Sequence, residues 1–159
     1  AYPDLLVSSL AVTPSGAWAP GESVTLSWRG DNGGTRAPAS DWTETVLVRN
    51  VTTGETVYSQ TLVRSAPGDG AIAAGGGVDR TATFAWTTGN AAQGLFEFIV
   101  NVDAGNALFE NNGPGNAESN NLAKLTLASA PDLVVQNLRI ENTGVQSGDT
   151  VTVLWNDFN

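Results

Sequence analysis

The chain has 159 residues, 16 acidic against 7 basic side chains, a formal charge of −9, and no cysteine, methionine or histidine. Without Cys or His, the thiolate, imidazole and zinc chemistries behind most nucleophilic and general-base catalysis have no side chains to run on, so the sequence does not read as an enzyme. A single lysine, Lys124, and a pI near 4.1 provide no cationic stripe for phosphates, which argues against nucleic acid and anionic lipid as partners.

No apolar run is long enough to insert in a membrane, and the first residues lack the basic-then-apolar layout of a signal peptide. Thr, Ser, Asn and Gly are abundant while Lys and Glu are few, which suits strands and turns rather than helices.

Period-two alternation predicts strands at 5–12, 22–29, 44–50, 56–63, 81–87, 95–103 and 121–127. The second puts Val24, Leu26 and Trp28 on one face; the fifth does the same with Ala82, Phe84 and Trp86. Phe96, Phe98, Val100 and Val102 share a face of the sixth, and Ala123, Leu125 and Leu127 a face of the seventh. Thr53-Gly54 is the clearest hairpin turn. Asn50-Val51-Thr52 matches a glycosylation pattern that is frequent by chance and receives no function. Ala73-Ala74-Gly75-Gly76-Gly77 lacks the Lys-Ser/Thr of a phosphate loop and is expected to be a mobile connection.

Seven short strands between Gly/Pro/Asn turns predict an all-β fold, an immunoglobulin-like seven-stranded antiparallel β-sandwich. If consecutive strands run antiparallel, the long loops 30–43, 64–80 and 104–120 share one pole, and the short ones 13–21, 51–55 and 88–94 the other. The first strand then begins at the loop-rich pole and the last leaves from the opposite one, so tandem units would form a rod.

The chain also repeats itself, which identifies its building unit. Pro3-Asp4-Leu5-Leu6-Val7 recurs as Pro131-Asp132-Leu133-Val134-Val135, and Gly21-Glu22-Ser23-Val24-Thr25-Leu26-Ser27-Trp28 as Gly148-Asp149-Thr150-Val151-Thr152-Val153-Leu154-Trp155. Residues 3–130 are therefore expected to be one complete module, and 131–159 the first two strands of the next. Trp28, Trp86 and Trp155 are expected to be packing residues. Two strands alone cannot cover Leu133, Val135, Leu138, Val151, Val153 and Trp155, so strand exchange with another chain through 131–159 is a candidate interaction.

The Pro-Asp-Leu-x-Val opening, the Gly-Glu-x-Val-Thr-Leu-x-Trp strand and the stretch Phe98-Ile99-Val100-Asn101-Val102-Asp103-Ala104-Gly105-Asn106 followed by Glu118-Ser119-Asn120-Asn121-Leu122 resemble the bacterial cell-adhesion-related domain, CARDB. The resemblance covers the first module and the 131–159 fragment. It implies an immunoglobulin-like module repeated in large surface or secreted proteins, with neighbouring modules of the same chain as partners and an extracellular or cell-surface setting. The chain departs from the family pattern by inserting Asn111-Asn112-Gly113-Pro114-Gly115-Asn116 into the last loop and by a longer 64–80 loop.

Two candidate sites follow. Asp103, Asn106, Glu110, Asn112, Glu118 and Asn120 concentrate hard oxygens among glycines, the chemistry calcium (Ca2+) requires, although the spacing is not an EF-hand. The competing reading is turn chemistry, with Arg36, Arg64 and Arg80 at the same pole neutralising the acids. Trp18 and Trp42, in or beside loops, are candidate sugar-stacking residues, against the alternative that they cover the ends of the sandwich. The reading that joins these features is a non-catalytic stalk or adhesion module stiffened by calcium; the alternative is a glycan- or protein-binding accessory module of an extracellular enzyme.

Overall fold

Strict alternation of buried and mostly half-buried side chains shapes β2 (Ser23–Asn32) and β3 (Trp42–Asn50), each of which turns one face wholly inward. The computed structural model describes residues 1–129 and 134–158 and divides the chain into two units, Ala1–Ser129 and Ala130–Asn159.

In the first unit β1 (Leu5–Thr13), β2 and β5 (Gly77–Ala85) form one antiparallel sheet in the order β1-β2-β5. The other sheet is β4-β3-β6-β7, from β4 (Thr56–Arg64), β3, β6 (Gly94–Asn101) and β7 (Leu122–Ser129). This is the predicted all-β, seven-stranded sandwich. Its fourth strand lies beside β3 rather than with β5, because the short turn through Gly54 (φ +82) folds it directly back on its predecessor.

Val24, Leu26, Trp28, Val46, Val48, Phe84, Trp86, Phe96, Phe98 and Val100 fill the space between the sheets. Leu125 and Leu127 pack against them from the edge strand β7, only partly buried. A second, smaller cluster of Leu5, Trp42, Ile72, Val102 and Leu108 adjoins it through the partly buried Val7.

The fifth strand begins four residues before its predicted start. β2 continues to Asn32, and its last residues draw Gly77, Val78 and Asp79 into the ladder opposite Asp31, Gly30 and Arg29. The glycine run expected to be mobile is tied down. Gly75 N–H donates to Asn32 O at 2.8 Å, Asn32 N–H to Gly76 O at 2.9 Å, and a side chain on Gly77 would meet Asp31 Oδ1 at 2.1 Å.

In the second unit β8 (Val134–Ile140) and β9 (Val153–Phe158) form an antiparallel pair. Trp155, expected to pack inside, is 53% exposed because nothing in this unit covers the face it occupies; Val135, Leu138, Val151 and Val153 are exposed as well. Leu133 lies outside the described residues. No helix among the described residues is long and apolar enough to cross a membrane.

Candidate metal centre

Three loops and the start of β1 meet at one end of the first unit, and Asn32 ties two of the loops to that strand start. This buried side chain accepts N–H groups from Asp4 (3.1 Å) and Gly34 (3.0 Å) and donates to the carbonyls of Arg36 and Ile72, both at 2.9 Å. Gly33 and Thr35 N–H groups bond back to Asp4 and Tyr2 carbonyls, and Asn111 N–H to that of Pro3. Beneath these polar contacts, Ile72 and Leu108 anchor their loops in the small apolar cluster. Sequence patterning did not single out either residue, because a lone apolar residue in a loop has no period.

β6 ends one residue before Val102, and the chain then turns at Asp103, whose φ of 44° lies in the left-handed region that Asp tolerates better than most residues. Its buried carboxylate accepts the N–H groups of Ala107 (2.9 Å) and Leu108 (3.0 Å). Glu110, also buried, accepts from Leu5 N–H at 2.7 Å and from Asn121 Nδ2 at 2.8 Å. Exposed Glu118 accepts Glu110 N–H at 2.8 Å. One oxygen from each of Asp103, Glu110 and Glu118 lies within 4.8 Å of the other two. An open pocket of about 370 Å³ borders Glu110 and Glu118.

Burial pushes the Glu110 carboxyl up to about 7, against its hydrogen bonds from Leu5 and Asn121, and the neighbouring Asp103 and Glu118 charges add to the rise. Burial likewise raises Asp103, opposed by the N–H groups of Leu108 and Ala107. The competing arginine reading holds for part of this pole: Arg64 and Arg80 pair with Asp69 as well as Glu44, and Arg29 with Asp31 and Asp79. Arg49 and Lys124 pair with Glu97. Among the described residues no basic side chain forms an ion pair with Asp103, Glu110 or Glu118.

Of the six residues the sequence grouped, these three carboxylates converge. Asn112 and Asn120 instead donate their amides to Asp4, at 3.1 and 2.9 Å, because that buried carboxylate needs donors. Asn106 is exposed, in a left-handed turn whose N–H bonds to Asp103 O. Asn121 was not in the group. Its amide nitrogen holds Glu110 while its Oδ1, like that of the predicted Asn120, is buried without a hydrogen-bond partner, a vacant oxygen donor.

The sugar-stacking reading of Trp18 and Trp42 is corrected, since both are buried, at 5% and 1% exposure. Trp18 packs on Trp86 at 4.3 Å and donates to Pro14 O; Trp42 donates to Gly70 O at 3.1 Å beneath Arg80. Neither ring offers a face to a sugar. Asn50 is equally enclosed, its amide donating to Ala91 and Gln93 carbonyls, so it cannot carry a glycan in this fold.

No family model and no curated protein matches the sequence. Among solved structures, the chain is similar to the CARDB domain of the PF1109 protein from Pyrococcus furiosus in complex with di-metal ions. The TM-score is 0.53 at 20% identity, over 80% of this chain and 94% of that one. A solution NMR structure of the same domain matches at 0.48 and 19% identity, over 80% and 95%. An alkylpurine DNA glycosylase from Pseudomonas fluorescens, bound to DNA containing an abasic site analog, gives 0.51 at 13% identity, over 82% of this chain and 32% of that one. The first unit of this chain, seven antiparallel strands in two facing sheets, thus has the fold of a CARDB domain.

Proposed function

We propose that the first unit is a non-catalytic, cation-braced module of a surface or secreted protein built from like units, serving adhesion or spacing. The observation that carries this reading is the meeting of Asp103, Glu110 and Glu118 with no basic partner among the described residues, beside the unsatisfied Oδ1 of Asn121. Buried carboxylates without cations are costly, and a divalent ion offsets that cost. With every donor a hard oxygen, calcium suits the set better than zinc or copper. The similar PF1109 domain was solved with di-metal ions.

Asp103, Glu110, Glu118 and Asn121 would hold the ion. Its effect is mechanical, because Glu110 already binds Leu5 N–H and the next residue binds Pro3 O. Fixing the 102–121 loop therefore fixes the start of β1. An ion at a hundred times its Kd adds about 2.7 kcal/mol to the folded state. Repetition of the Pro-Asp-Leu and Trp strands favours a module among modules over a solitary binder, and the glycan alternative loses its anchors with Trp18 and Trp42 buried.

Calorimetric titration of the 159-residue chain with calcium chloride tests the site. Saturable binding and a higher Tm are expected, both lost in Asp103→Asn and in Glu118→Gln. Equal Tm in calcium and in chelator, with no heat of binding, would overturn the brace. Binding of manganese or zinc but not calcium would retain the site and change its ion.

A further inference from the structure

The second unit repeats β1–β2 in geometry as well as in sequence. β8 and β9 place Val134 opposite Phe158, Val135 opposite Asp157 and Gln136 opposite Asn156, then slip and resume at Arg139–Leu154 and Ile140–Val153. Carried across the repeat, these are the β1–β2 pairs Leu6–Asp31, Val7–Gly30, Ser8–Arg29, Ala11–Ser27 and Val12–Leu26, with the slip in the same place. A left-handed residue marks the slip both times, Ser9 at φ 53° and Asn137 at φ 55°. A bulge at a fixed position sets the register and twist of a strand pair, so β8–β9 is shaped as the start of a sandwich sheet.

The two pairs differ in what covers them. Leu26 and Trp28 are 0% and 2% exposed; their counterparts Val153 and Trp155 are 44% and 53% exposed. In the first unit the outer edge of β2 is filled by β5, from Ser23–Ala85 to Asp31–Gly77, with Phe84 beside Val24 and Ala82 beside Leu26. β9 pairs only with β8 among the described residues, which leaves backbone donors and acceptors along its other edge.

We propose that the outer edge of β9 is a strand-acceptor site for an antiparallel strand of β5's chemistry, supplied by a sandwich of this same kind. In β5's register an aromatic residue comes to lie beside Val151 and a small one beside Val153. The acceptor also changes what fits at one end. Arg29, which pairs with both Asp31 and Asp79, and Asp31 itself are replaced by Asn156 and Phe158. The strand taken up by β9 has no use for an acid at the position of Asp79. This inference rests on the repeat and not on the cation site.

The test adds a fluorescent synthetic peptide of residues 76–87 to the 159-residue chain and follows anisotropy together with hydrogen exchange. Saturable binding is expected, with the 151–157 amides slowed about tenfold or more and the 24–31 amides unchanged. Peptides carrying Phe84→Asp or Thr83→Pro should lose binding, whereas Asp79→Asn should bind at least as well. Val153→Asp in the chain should abolish binding without altering the melting of the first unit, which shows that the loss is local. Absence of protection at β9, equal binding of the Phe84→Asp peptide, or protection confined to β2 would overturn the proposal. Self-association that protects β9 and that the peptide does not compete would overturn it too, by making β9 of a second copy the occupant.

Discussion

Glu110 sits where burial and two neighbouring acids all oppose its ionisation, and that gives the metal-free protein a pH signature. The folded carboxyl keeps its proton up to about 7, whereas the unfolded one releases it near 4.5. Between those values the folded state binds more protons, so stability falls as pH rises through that window. At about 1.4 kcal/mol per tenfold change, the loss attributable to this group is roughly 3 kcal/mol. Urea unfolding in chelator at pH 5 and pH 8 should show that loss, and Glu110→Gln should remove most of it. Glu44, by contrast, is fully buried on the inward face of β3 with its charge satisfied. It accepts Trp28 Nε1 at 2.8 Å across the two sheets and Arg64 Nε at 2.7 Å, with Arg80 Nε 3.7 Å away. Glu44→Ala removes the buried carboxylate shared by Arg64 and Arg80, leaving both only the half-exposed Asp69, and should cost about 3–5 kcal/mol, read as a lower urea midpoint. Sequence patterning placed residue 44 in a strand but did not show that two arginines from other elements arrive beside it.

At the scale of elements, the strands follow from period-two patterning, and their inward residues were legible wherever three or four apolar side chains alternate, as in β2 and β6. The missed boundary of β5 has a specific cause. Gly77 and Asp79 carry no hydrophobic signal and join the sheet because β2 extends to meet them. Loops were legible as loops but not in their bonding. Gly34 is the case most relevant to the site: a side chain there would lie 2.4 Å from Tyr2 O and 2.7 Å from Asp4 N. Gly34→Ala should therefore push the start of β1 away from Glu110, lower Tm by an amount equivalent to about 1–3 kcal/mol, and weaken calcium binding. Melting and calorimetry on the same variant check both, and unaltered calcium affinity would separate the start of β1 from the cation site.

For the whole molecule, the sandwich core lies within residues 1–129 and the second unit is a strand pair with most of its apolar side chains exposed. An isolated two-stranded sheet is marginal in water. A chain ending at Ser129 should therefore melt cooperatively within about 2 °C of the 159-residue chain, by circular dichroism in either calcium or chelator. A much lower melting temperature would show that the second unit supports the first.

The amino-acid order by itself determined the all-β class, the number of strands in the first unit, the gathering of long loops at one pole, and the repeat, because each is written in local periodicity or self-similarity. It brought Asp103, Glu110 and Glu118 onto a list of six oxygen donors without separating them from Asn106, Asn112 and Asn120. Only the tertiary structure decided that separation, along with the burial of Trp18 and Trp42 and the pairing of the arginines elsewhere. The physical reason is that charge compensation and burial depend on which distant residues the fold brings together. Asp4 takes the amides of Asn112 and Asn120, and Glu44 takes the arginines, so three acids remain without basic partners at one point.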